Sequence, residues 1–352
     1  RMRIAVDIGP ISESSTSAHR VRGIGAYINM LVRHLPKLDK KNEYIFVEDK
    51  NFPSDADLVH YPYFDPFFIT LPAKFQTKTI VTVHDLTPLV FPKYFPAGVK
   101  GKIKWFIQKS RLKNADLVIT DSNSSKKDVE NIVGIPENKV RTVYLAVDEK
   151  FVRLKTEDLR EVRERYPLPE DFLLYVGDAT WNKNLPRLIR SVKETKHPLI
   201  LVGKVWSNKT SDVLDHQWNE DLKWVLKEID TDKQFIKLGF IPDEDLVKIY
   251  NIATALIMPS IYEGFGLPVL EAMNCGCPVI TTRGGSLPEV AGDAVLYVDP
   301  ENIESLREGI NRIFSESKLR EDLSKKGLEQ AKKFTIKKMM EDLIGAYESI
   351  NQ

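Results

Sequence analysis

Glu263 and Glu271 bracket the run Gly264-Phe265-Gly266-Leu267-Pro268-Val269-Leu270, with seven residues between them. From Pro259 to Ala272 the segment reads as a strand end, a glycine-bearing loop and a helix started by Pro268. Backbone amides in such a loop can approach a diphosphate or a sugar oxygen, while each carboxylate can accept paired hydrogen bonds from a vicinal diol. The plainer reading makes Glu263 an ordinary loop carboxylate and Glu271 a complement to the helix dipole.

Other clusters occupy comparable places. Gly177-Asp178-Ala179-Thr180-Trp181-Asn182-Lys183 follows an apolar run, and Asn184 as cap with Pro186 in the first turn marks a helix start, so Lys183 stands where an ammonium and a macrodipole favour phosphate. A solvated lysine is the bland alternative. His84-Asp85 ends another apolar run, and an imidazole there can bond a sugar hydroxyl, exchange a proton, or simply hold a loop. Asp85, just before Thr87-Pro88, can equally organise the turn. His19-Arg20-Val21-Arg22-Gly23-Ile24-Gly25-Ala26-Tyr27 opens a helix without the three-glycine dinucleotide spacing, and Arg283-Gly284-Gly285 turns into a further one.

The elements that must position these residues alternate. Short Val- and Ile-rich runs are separated by stretches of helical period, the pattern of a parallel sheet wrapped by crossover helices, so the fold class is α/β. Strands are expected near 3–8, 43–48, 56–61, 78–84, 115–120 and 139–145, then near 172–177, 199–203, 235–240, 254–259, 278–282 and 294–299. Between the sets, a charged, apolar-poor stretch from about 152 to 170 reads as linker and turn. Two domains follow, 1–152 and 153–335, with the ligand expected outside the carboxyl ends of the strands, in a cleft between the halves.

The 352 residues carry 51 Lys and Arg against 50 Asp and Glu, a balance unlike that of a protein that grips nucleic acid along its surface. Residues 1–150 hold 23 basic and 17 acidic side chains (+6), leaving 28 and 33 (−5) for the remainder, so an anionic partner meets the first half more easily. Cys275 and Cys277 lack a nearby His for a zinc site and read as reduced and packed. Ile4-Ala5-Val6 is too short for a signal-peptide core, and no stretch approaches 18 uninterrupted apolar residues, so a cytoplasmic location is expected.

The Glu-Gly-Phe-Gly-Leu-Pro-Val-Leu-Glu run resembles the signature of retaining glycosyltransferase family 4, enzymes of the GT-B fold with two Rossmann-like, doubly wound domains facing across a cleft. Gly23 to Tyr27, Val83-His84-Asp85, and Tyr175-Val176-Gly177 through Lys183-Asn184-Leu185 resemble that family's other motifs in the same order. The resemblance implies a glycosyltransferase whose second domain holds a GDP- or UDP-linked sugar and whose first holds a glycan or lipid-linked acceptor. It implies that a last helix, 336–352, crosses back to the first domain. Glu263, His84 and Lys183 would be catalytic: Glu263 near the reacting carbon, His84 on the sugar and Lys183 on the diphosphate. Gly25, Asn182, Gly264, Phe265, Gly266 and Leu267 would join them around the donor, with Glu271 on the ribose and Phe240 and Ile241 at the base. Asp85, His19 and Arg22 would face the acceptor. Asp178, Asn182 and Ala26 stand where many relatives carry arginine, so Arg20, Arg22 or Arg283 would have to compensate.

Cleavage of the sugar–phosphate bond spreads positive charge on the ring and negative charge on the diphosphate, which fixed cations and amide dipoles stabilise. No metal and no cofactor beyond the donor is then needed. The motif His84-Asp85-Leu86-Thr87-Pro88 resembles mannosyltransferases of the family, which favours mannose from GDP-mannose and a role in surface polysaccharide assembly. The rivals are a GT-B epimerase or phosphorylase, and a sugar-nucleotide sensor without turnover. From Lys93 to Lys113 seven basic residues and no acid surround Trp105-Phe106-Ile107, a pattern suited to an anionic membrane surface on the cytoplasmic side, to a lipid-linked pyrophosphate acceptor, or to a mere amphipathic cover on the sheet.

Overall fold

The computed structural model describes residues 1–12, 22–207 and 214–351. The chain divides into two compact units, Arg1–Ala146 with Phe334–Gln352, and Val147–Lys333. The division falls six residues before the expected position at 152, and the helix Ile336–Ser349 belongs to the first unit.

In the first unit β1 (Arg3–Asp7), β2 (Glu43–Val47), β3 (Leu58–Tyr61), β4 (Lys78–Val83), β5 (Leu117–Thr120) and β6 (Val140–Thr142) form one parallel sheet in the order β2-β1-β3-β4-β5-β6. Its central strands are buried along their length, as parallel strands covered on both faces must be. The helix Ile336–Ser349 buries Met339, Met340, Leu343, Ala346 and Tyr347, and Tyr347 reaches the core imidazole of His60.

In the second unit β7 (Leu173–Val176), β8 (Leu199–Val202), β9 (Phe235–Gly239), β10 (Ala255–Met258), β11 (Val279–Thr281) and β12 (Leu296–Tyr297) form a second parallel sheet, ordered β12-β11-β10-β7-β8-β9. The helix Leu185–Lys193 shows why the crossovers pack. Leu185, Leu188, Ile189 and Val192 recur at helical spacing and enter the core with Leu173, Leu199, Leu201 and Leu306.

Two features depart from the sequence reading. The stretch taken as linker contains a 3₁₀ turn, Thr156–Leu159, and a helical turn, Arg160–Arg165, fastened by Arg165 and Tyr166 to Asp245. The helical period of residues 123–133 predicts one helix, but the chain is α-helical only over Asn123–Asp128 and widens to a π turn at Val129–Val133.

Candidate active site

Sheet order creates the site in the second unit. Strand β7 neighbours β10, although almost eighty residues separate them, and the strand order reverses there. At such a switch point the loops leaving the two carboxyl ends diverge and leave room for a ligand. The loop after β7 delivers Lys183 and the loop after β10 delivers Glu263.

They meet. Lys183 Nζ donates to Glu263 Oε1 at 2.7 Å, and Ser260 Oγ donates to the same oxygen at 2.6 Å. The side chains are only 15% and 10% exposed, so each charge depends on the other for compensation. Around them the backbone is held from three sides. Asn182 Nδ2 donates to Tyr262 O, and Ile261 N donates to Asn182 O. From the loop after β11, Ser286 donates to Glu263 O through both its amide and its hydroxyl. Gly284 and Gly285 lie so close to Ile261 and Glu263 that a Cβ would come within 2.1 and 2.4 Å of their carbonyl oxygens.

Gly266 has φ +93°, and a Cβ there would sit 2.8 Å from Leu287, so only glycine makes this entry into the helix Leu267–Asn274 without strain. Phe265 is buried beside it. Glu271 projects from that helix and accepts from Tyr250 Oη at 2.7 Å. Ile241 is buried and Phe240 is 51% exposed directly after β9.

Asn184, Asn182 and Arg283 make contacts that their local spacing does not show, while Cys275 and Cys277 are reduced and packed as expected. Asn184 adopts a left-handed conformation and makes no side-chain cap. Its amide instead donates to Pro259 O and Pro300 O, tying the β7 and β10 loops together. The Asn182 side chain, expected at the donor, is buried and also accepts from Thr180 Oγ1. Arg283 stacks on Tyr297, 3.9 Å from guanidinium carbon to ring centroid. Cys275 and Cys277 are buried thiols whose pKa burial pushes up, that of Cys277 to about 12.

In the first unit His84 follows β4 and is engaged at both ring nitrogens, Nδ1 2.8 Å from Asp121 Oδ2 and Nε2 2.9 Å from Pro62 O. Asp85 is exposed, and its Oδ1 accepts from Thr87 N, the turn-organising role. Gly25 lies in the first turn of the helix Arg22–Leu38, Arg22 is its first residue, and His19 and Arg20 lie outside the described residues. Sequence reasoning did not single out Ser260, Tyr250, Asp121 or Pro62. Ser260 sits three residues before Glu263, while the other three touch their partners only through the fold.

Residues 18–151 match the family model described as Glycosyltransferase Family 4, and residues 158–330 the model described as Glycosyl transferases group 1. The O-antigen chain mannosyltransferase B of Escherichia coli is 32% identical over 303 residues, 83% of this chain and 75% of that protein. The chain is a family 4 glycosyltransferase. The Escherichia coli serotype-specific mannosyltransferase WbdA is 26% identical over 280 residues, and this glycosyltransferase spans about a third of that protein's length. Among solved structures, sucrose-phosphate synthase from Thermosynechococcus elongatus superposes with a TM-score of 0.73 at 20% identity over 99% of both chains. Anabaena HepE in complex with UDP-glucose gives 0.74 at 15% identity, over 99% of this chain and 100% of that one. The glycosyltransferase thus has the GT-B fold, with two parallel-sheet units.

Proposed function

We propose that this glycosyltransferase moves mannose from GDP-mannose, with retention of configuration and without a metal, to a glycan or lipid-linked oligosaccharide in surface polysaccharide assembly. The mannose assignment is supported by the 32% identity to an O-antigen chain mannosyltransferase. The transfer assignment is supported above all by the Lys183–Glu263 contact at the switch point of the second sheet. In this reading the donor diphosphate takes over the ammonium of Lys183, which releases Glu263 to the transferred sugar. Glu271, Phe240 and Ile241 take the nucleoside. The bond from the anomeric carbon to the phosphate oxygen breaks, the acceptor oxygen bonds that carbon on the same face, and the acceptor's proton passes to the departing diphosphate. Charge on that leaving group is met by Lys183 and by backbone amides near Gly264 to Leu267, which is why no metal is invoked.

The acceptor is assigned to the first unit, with Asp85, His19 and Arg22, and the work to the cytoplasmic face of a membrane. The helix Gly98–Lys113 supports this. Val99, Ile103 and Phe106, at spacing i, i+4 and i+7, are 76%, 58% and 76% exposed, while Gly101, Gln108 and Leu112 face the core. Exposed Lys100 and Lys102 flank the stripe, and Lys104 lies over the ring of Phe68. An apolar edge with basic flanks suits an anionic lipid surface.

The test is incubation of the purified chain with GDP-mannose, UDP-glucose or UDP-galactose and an oligosaccharide acceptor, in buffer containing EDTA, with the product linkage read by NMR. An α-mannoside formed from GDP-mannose alone is expected. Transfer only from a UDP-sugar, a β-linked product, or loss of turnover in EDTA overturns the corresponding part.

A further inference from the structure

Strands β3, β4 and β5 lie side by side, and Pro62, His84 and Asp121 each follow the carboxyl end of one of them. The imidazole is therefore clamped between a carbonyl oxygen and a carboxylate. The carbonyl of Pro62 only accepts, so the 2.9 Å contact requires a proton on Nε2. On the other side, Nδ1 faces Asp121 Oδ2 at 2.8 Å. Asp121 is buried, and its second oxygen, Oδ1, has no hydrogen-bond partner among the described residues. A carboxylate so placed relies on the ring as its hydrogen-bond donor, and that donor is strong only if Nδ1 also carries a proton.

We propose that Asp121 is a positioning residue that holds His84 as a doubly protonated imidazolium, so that His84 serves the reaction as a fixed cation and never as its base. The catalytic meaning rests on the expectation, from the family resemblance, that His84 contacts the transferred sugar; the charge state itself does not.

The surroundings agree. Burial opposes the charge on His84, but Asp121, the Pro62 carbonyl and nearby Asp85 raise its pKa overall. Burial keeps the Asp121 carboxyl above its ordinary range, and the contact with His84 offsets only part of that rise. The ring of Tyr27 stands edge-on to the imidazole, 4.7 Å between centroids, and its hydroxyl faces Thr82. Beyond Thr82, His60 is kept neutral by burial, its pKa lowered to about 3, so it adds no rival cation. Because His84 already carries both protons, the acceptor's proton must leave by another route, which matches its passage to the departing diphosphate.

The test begins without substrate. In protein labelled with nitrogen-15 histidine, the His84 signals are assigned from their loss in His84→Gln and followed through a pH titration. Expected are two protonated ring nitrogens at pH 7 and a midpoint above the ordinary value of about 6.5. Asp121→Asn keeps an acceptor for Nδ1 but removes the charge, and should lower the proton affinity of His84 at least tenfold. The alkaline fall of kcat/KM should move to lower pH by the same amount, a shift that mere loosening of the fold would not produce. A neutral His84 at pH 7 in the wild-type protein overturns the proposal with no variant needed, as does an unchanged midpoint in folded Asp121→Asn. If the donor assignment fails while the titration behaves as expected, the fault lies in the placement of His84 at the sugar.

Discussion

Lys183 and Glu263, eighty residues apart in the chain, form a 2.7 Å ion pair that is almost closed to solvent. The two groups assigned to the diphosphate and to the sugar therefore neutralise each other before a donor arrives. In the proposed function, donor binding would exchange one partner for another and expose no naked charge.

Removing both members should cost less than the two single removals added together. Lys183→Ala leaves a buried carboxylate uncompensated and is expected to lower stability by about 3 kcal/mol, with kcat/KM for the donor falling roughly 100-fold. Lys183→Ala with Glu263→Ala should be less destabilised than the sum of the single changes by about 2 kcal/mol. Urea unfolding of the four proteins measures this; strict additivity would show that the pair is not coupled.

Tyr250→Phe removes the hydroxyl that orients Glu271. If Glu271 grips the ribose, the KM for the donor should rise about tenfold with kcat nearly unchanged, at a cost of about 1 kcal/mol in stability. Equal loss in kcat would move Glu271 from nucleoside binding to the chemical step.

Gly266→Ala places a side chain at φ +93° and against Leu287. A destabilisation of about 2 kcal/mol and severe loss of transfer are expected, because the displaced turn carries Glu263 on one side and Glu271 on the other. A variant with wild-type melting and turnover would show that the turn tolerates repacking.

The folded pKa of His60, about 3, lies below the ordinary 6.5, so the unfolded chain takes up this proton first as the pH falls. The contribution from keeping His60 neutral is complete above pH 6.5 and declines from there towards pH 3, by at most about 1.4 kcal/mol per pH unit. Unfolding free energies measured between pH 7 and 5 should show this decline, and His60→Gln should flatten it.

Val99, Ile103 and Phe106 make little contact with the core. Ile103→Asp with Phe106→Asp should leave stability within about 0.5 kcal/mol and abolish flotation with phosphatidylglycerol vesicles. Flotation equal to that of the wild type, or equal on neutral vesicles, removes the membrane assignment for this helix.

Much of this architecture was legible locally. The twelve strands described all fall within the runs that predict them, and central ones such as β3, β5, β8 and β10 are largely apolar because both their faces are buried. The helix Ile303–Ser315 lies where the helical period near 303–315, carried by Leu306, Ile310 and Ile313, predicts it. The turn Arg160–Arg165 was illegible because only Val162 is buried and Arg165 finds its partner in Asp245, eighty residues onward. Asn184 looked like a helix cap because its type and position fit one. Its amide has better partners in Pro259 and Pro300, which local spacing does not reveal.

By itself, then, the sequence determined the kinds of element, their order and the residue types at each strand end, since helical and strand periods are properties of neighbouring residues. Which loops meet was decided only in three dimensions. A parallel sheet sets β7 beside β10 and lines up the ends of β3, β4 and β5, so Lys183 finds Glu263 and His84 is clamped by Asp121 and Pro62. Strand order in such a sheet follows from crossover packing across the whole unit, and no local pattern encodes it.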